Sequence, residues 1–126
     1  MLNYYRNSLD KVKLWGPTIF KDVLVRVTDF VKDKMKSPVQ LYHVLLILTD
    51  GCIHDMRETI NKIVEMSDLP ISIIIVGIGN NDFGNMEILD ADDVDLSDDR
   101  LEIAKRDIVQ FVKYNDYGED IGLLAE

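Results

Sequence analysis

A single cysteine, Cys52, occurs among the 126 residues, which excludes an internal disulfide framework and suits a reducing, intracellular setting. No apolar run approaches the roughly 20 residues that cross a bilayer. The first residues, MLNYYRNSLDK, lack the basic-then-apolar layout of a secretory signal. Positive charge is scarce too: 14 Lys and Arg stand against 23 Asp and Glu, a net charge of −9. That balance argues against nucleic acid as a partner, because such binding draws on clustered cations. It equally disfavours unaided docking on an anionic membrane. A bound cation could reverse the sign locally, but only where carboxylates converge.

What remains is the composition of a soluble globular protein, 47% hydrophobic and 29% charged, with a length that suits one domain. No internal repeat, linker or domain boundary interrupts it.

Residues 2–14 read as a short helix, broken by Trp15-Gly16-Pro17. From Thr18 the apolar residues Phe20, Val23, Leu24, Val27, Phe30 and Val31 recur at three- and four-residue spacing. This predicts an amphipathic helix to about Lys36, ended by Ser37-Pro38. LYHVLLIL (41–48) and ISIIIVGI (71–78) are apolar at odd and even positions alike, the pattern of parallel strands covered on both faces. Between them Met56, Ile60, Ile63 and Val64 give a one-face helix, with Asp55 placed near its start to suit the dipole. The span is a βαβ unit. A short helix over 82–89, an acidic loop, a third strand over 107–112 and the opening of a helix in YGEDIGLLAE complete the reading. With sequential strand order, right-handed crossovers put both connecting helices on one face. The other face is then left to the first helices and the tail, or to something outside this sequence.

YRNSLDKVKLWGPTIF, YHVLLILTDG, LPISIIIVGIG, FGNMEILDADDV and AKRDIVQFVKYNDY, in that order, resemble blocks of the C-terminal domain of the copines. The resemblance covers nearly the whole chain. It implies an α/β fold, a doubly wound parallel sheet of the von Willebrand factor A type, of which residues 1–126 would be the C-terminal part. It also implies a metal-ion-dependent adhesion site at the C-terminal edge of the sheet. Two preceding C2 domains, not contained in this sequence, would bind phospholipid when calcium is present.

In A-type domains the metal is held by an Asp-x-Ser-x-Ser loop, a Thr from a second loop and an Asp after the fourth strand. By resemblance Thr18, in GPTIF, matches the second element and Asp50, in LTDG, the third; no Asp-x-Ser-x-Ser occurs here. One hydroxyl and one carboxylate make a weak site for Mg²⁺ or another divalent cation, which wants octahedral oxygen ligands. Asp50 therefore stands open between metal ligand and solvated turn residue.

Other features carry less. Cys52 and His54 stand near each other in a loop, but catalytic pairs are assembled by the fold and no separate base accompanies them. His43 reads as a tolerated histidine on a buried strand. Gly77-Ile78-Gly79-Asn80-Asn81-Asp82 imitates a dinucleotide loop but places an anion where close helix packing is required. The acidic run Glu87, Asp90, Asp92, Asp93, Asp95, Asp98, Asp99 offers no EF-hand register, and reads as a solvated loop. Trp15 reads as a residue pinning a helix junction.

The expected function is a non-enzymatic, protein-binding module of a copine, cytoplasmic and peripherally membrane-associated through the C2 domains. The alternative is a copine-like substrate-recruiting domain of a RING-type ubiquitin ligase. Protein partners are expected, nucleic acid is not, and the strand at 41–48 is expected to present an open edge that promotes self-association.

Overall fold

The computed structural model describes residues 2–13, 16–92 and 95–117. Helix α1 (Leu2–Leu9) is followed by α2 (Lys21–Lys34), strand β1 (His43–Thr49), α3 (Met56–Met66), β2 (Ile71–Gly77), α4 (Gly84–Asp90), β3 (Val109–Lys113) and a 3-10 turn (Tyr114–Tyr117). The three strands lie in the order β1-β2-β3, all parallel. This is an α/β fold, consistent with part of a von Willebrand factor A-like domain.

Each element starts or stops a few residues from its predicted bounds. The first helix ends at Leu9 rather than near residue 14, and the third strand begins at Val109 rather than Asp107. Asp107 instead turns its carboxylate back to accept the Val109 N–H at 3.0 Å. Trp15 and the tail beyond Tyr117 lie outside the described residues.

The two faces of the sheet differ sharply. Ile71, Ile73 and Ile75 of β2 are at most 1% exposed, packed beneath Ile63 and Met66 of α3 and Met86 and Leu89 of α4. Both connecting helices thus occupy one face, as right-handed crossovers require. Helix α2 joins the same layer through Leu24 and Val31 and does not wrap to the far side. On the opposite face Val44, Leu46 and Leu48 of β1 are 61%, 58% and 62% exposed. Ile74, Val76 and Val112 beside them are half-buried. The expectation that these strands are covered on both sides therefore holds for one side only, among the described residues.

Among its described side chains, helix α1 adds nothing to the covering: Tyr4, Tyr5 and Leu9 all stand in solvent. Its length, two turns, is too short for stable helicity without packing.

Gly77 marks the end of β2 for a steric reason. A Cβ there would approach the Phe83 ring to 2.8 Å and the Phe111 ring to 3.0 Å. The two rings pack against each other with centroids 5.6 Å apart. The glycine of the dinucleotide-like stretch makes room for aromatic packing in the core.

Candidate divalent-cation site at the C-terminal edge of the sheet

Asp50 follows directly on Thr49, the last residue of β1, and is exposed. The turn beneath it is built by neighbours. Thr49 is buried; its Oγ1 accepts the Gly51 N–H and donates to the Gly51 carbonyl. The Thr49 carbonyl accepts the Ile78 N–H at 2.8 Å, and the Asn81 amide donates to the Asp50 carbonyl. Asp50 is thereby fixed through its backbone while its carboxylate faces solvent.

Thr18 reaches the same edge by a different route. Its N–H donates to His54 Nδ1 at 3.1 Å and its carbonyl accepts the His54 N–H at 3.0 Å. Two residues further, Asp55 Oδ1 accepts the Phe20 N–H at 3.0 Å and Oδ2 accepts the Lys21 N–H at 2.8 Å. The segment entering α2 is thus clipped onto the loop that follows β1. Both sequence-predicted metal residues sit on this clipped pair of segments.

The sequence reading of Asp55 needs correction. It occupies the N-cap position of α3, but its side chain makes no capping bond to that helix. The buried carboxylate serves the N-terminus of α2, where two otherwise unpaired N–H groups converge on it. His54 and Asn81 were likewise not expected at the site.

The other candidate residues have different surroundings. Cys52 is free and exposed. His54 Nδ1 is taken up by the Thr18 N–H and is not available as a base at that nitrogen. His43 is half-buried, its ring edge-on to Phe30 at 5.5 Å, with Nε2 buried and without a partner among the described residues. In the acidic run Asp98 accepts the Arg100 and Glu102 N–H groups at 2.8 and 2.9 Å, closing a tight turn. The Glu102 bond is the main cause holding its carboxyl below the usual range. Asp99 takes a bidentate contact from Arg57 Nε at 2.8 and 2.9 Å and a further bond from Asn61, which lower its pKa. These two carboxylates staple the loop to itself and to α3 instead of pointing freely into solvent.

The chemistry of the donors at the β1 edge fits a hard cation, since both are oxygens. Their number suits at most a weakly held one. Among the described residues no three His, Cys, Asp or Glu side chains gather as a metal cluster.

A cleft of about 660 Å³ opens at the other end of the strands beside Tyr42, Leu69 and Arg106. Arg106 is committed there to the Leu69 and Ile71 carbonyls at 2.5 and 2.6 Å and to the Tyr42 hydroxyl at 3.1 Å.

The family profile described as Copine matches residues 1–123, almost the entire chain. The chain belongs to the copine family. Among its relatives it is 43% identical to Copine-C of Dictyostelium discoideum over 126 residues, all of this chain and 23% of that protein. It is 44% identical to Protein BONZAI 2 of Arabidopsis thaliana over 122 residues, 94% of this chain and 21% of that protein. Nicotinic receptor-associated protein 1 of Caenorhabditis elegans is 44% identical over 117 residues, 93% of this chain and 18% of that protein. The copine sequence described here thus spans 18 to 23% of the length of these relatives.

Proposed function

We propose that this chain is a non-catalytic, protein-binding portion of a copine, acting at the loops on the C-terminal edge of its sheet. The observation that carries the reading is the clipped pair of segments that holds Thr18 and the exposed Asp50 at that edge. Ligands of open α/β sheets gather there, beyond the carboxyl ends of the strands. His54 Nδ1, the base nearest Cys52 in sequence, is taken up by the Thr18 N–H, which supports a binding role over nucleophilic catalysis.

In the complete A-type domain Thr18 and Asp50 would contribute two oxygens to Mg²⁺ or a similar cation. When bound, that cation would offer a coordination position to an oxygen of a protein partner. The printed name of the Caenorhabditis elegans relative describes association with a receptor, which supports a protein as the partner. Calcium-dependent phospholipid binding is assigned to C2 domains of the longer protein, with cytoplasmic residence and peripheral membrane association.

Calorimetric titration of the 126-residue chain with MgCl₂ tests the site reading, and cosedimentation with phosphatidylserine vesicles in calcium tests the division of labour. The reading expects no saturable micromolar Mg²⁺ site and no cosedimentation. A micromolar site, or calcium-dependent pelleting with vesicles, overturns the respective part.

A further inference from the structure

Asp50 and Gly51 form the one Asp-Gly pair in the chain; every other aspartate is followed by a residue that carries a side chain. A backbone nitrogen can attack the side-chain carbonyl carbon of the aspartate before it and close a five-membered ring. A Cβ on the attacking residue crowds that approach, and glycine has none.

The turn after β1 leaves both reacting groups loosely held. The Gly51 N–H has Thr49 Oγ1 at 3.5 Å, longer than an ordinary hydrogen bond. Around a Cβ built on Gly51 the nearest atoms are those of the Asn81 side chain, at 3.7 Å. The Asn81 amide holds the Asp50 backbone carbonyl, but among the described residues no hydrogen bond reaches the Asp50 carboxylate.

Carboxylates elsewhere in the chain are tied down. Asp55 accepts the Phe20 and Lys21 N–H groups, and Asp82 accepts the Gly84 N–H at 2.9 Å. Asp90 and Asp107 accept from Phe111 and Val109, and Asp98 from Arg100 and Glu102. A side chain engaged in such bonds is kept from folding back onto the peptide that follows it.

We propose that Asp50–Gly51 is a site of spontaneous covalent modification, the position at which this chain converts aspartate to isoaspartate. The Gly51 nitrogen gives up its proton and bonds to Asp50 Cγ, while a hydroxyl leaves that carbon; one water is lost and a succinimide forms. One water then adds to either ring carbonyl and the carbon–nitrogen bond there breaks. Opening at Cγ restores aspartate. Opening at the Asp50 backbone carbonyl carbon leaves the chain running through the side chain, with a free carboxylate on Cα. Nothing is oxidised or reduced, and water is the one co-reactant.

The reaction is internal to two adjacent residues, so it depends on this turn and not on what lies beyond either end of the chain. Its product lengthens the backbone by one methylene and moves the carbonyl that Asn81 holds. Loss of the Asp50 carboxylate from the sheet edge is a further consequence that rests on the cation-site reading; the modification itself does not.

The test is incubation of the folded chain at neutral pH and body temperature for several weeks, followed by peptide mapping with electron-transfer fragmentation. Isoaspartate is expected at residue 50 ahead of every other aspartate. No isoaspartate at residue 50, or equal accumulation at several aspartates, overturns the proposal. Labelled methyl transfer by an isoaspartyl methyltransferase counts the product independently. Gly51→Ala is sterically tolerated, since φ there lies outside the left-handed region and the nearest contact is an ordinary one. It is expected to slow the reaction about tenfold, a barrier increase of about 1.4 kcal/mol. An unchanged rate overturns the assignment of the Gly51 nitrogen as nucleophile. Should Gly51→Ala fail to fold, the map of the unaltered chain decides by itself.

Discussion

The carboxylate of Asp55 and the N–H of Lys21, separated by 34 positions in sequence, lie 2.8 Å apart, and Asp55 holds the neighbouring Phe20 N–H as well. One buried side chain at the head of α3 thereby fastens the head of α2, and with it the segment that carries Thr18.

Replacing this residue with alanine leaves two N–H groups at the start of α2 without their acceptor. Asp55→Ala is expected to cost about 2–3 kcal/mol, the sum of a lost cap and a charge-assisted bond. Asp55→Asn, which keeps one acceptor oxygen, should cost about half as much. Urea denaturation followed by circular dichroism measures both, and equal losses for the two variants would show that the one oxygen retained by asparagine contributes nothing.

The space at Gly77 makes a second prediction. An added methyl must move the Phe83 and Phe111 rings, so Gly77→Ala should cost about 1–3 kcal/mol. At Gly79, φ is +99° and a Cβ would meet nothing within 4 Å. Gly79→Ala should therefore lose about 1 kcal/mol to backbone strain alone. A Phe83→Leu background is expected to relieve the first cost and leave the second unchanged, as thermal denaturation of the double variants would show.

Leu101 is a non-glycine residue at φ 65°, with its side chain 83% exposed. The left-handed conformation is imposed by the turn that Asp98 closes with the N–H groups of Arg100 and Glu102. Leu101→Gly removes the strain and sacrifices no packing, so it should stabilise the chain by about 1 kcal/mol. A lower midpoint of denaturation for this variant would mean that the loop is not held as described.

Asp90 provides a pH dependence of definite sign. Burial is the largest influence on its carboxyl and raises the pKa; the Phe111 N–H opposes it, and the nearby Asp92 and Asp107 charges reinforce it. It also ends α4, where the helix dipole disfavours an anion. The folded chain therefore binds its proton more tightly than the unfolded chain. This contribution is present below the ordinary carboxylate range and is lost as pH rises through the raised folded value. Asp90→Asn keeps an acceptor for Phe111 and removes the titration. It should gain up to about 1 kcal/mol at pH 7 relative to its effect at pH 3. Denaturation curves at the two pH values that shift in parallel would contradict this.

Strands and helices of this chain are legible because burial has a period. Ile71 to Val76 could scarcely be anything but a strand, and Phe20 to Val31 carry one apolar face of a helix. The copine membership was legible from five ordered blocks, and the profile match agrees with it. The side-chain clips were not legible. Asp55 to Phe20, Asp99 to Arg57 and Asp90 to Phe111 span 35, 42 and 21 positions, and such bonds leave no periodic trace. The same is true of which sheet face is covered: β1 is apolar on both sides, and only the common side of α3 and α4 decides.

Carbene footprinting read by mass spectrometry compares the two faces of the sheet residue by residue. Val44, Leu46 and Leu48 should label heavily, and Ile71, Ile73 and Ile75 hardly at all. Protection of both sets to the same degree would mean that the sheet is sheltered on both faces, and would contradict the one-sided architecture from which the bare face follows.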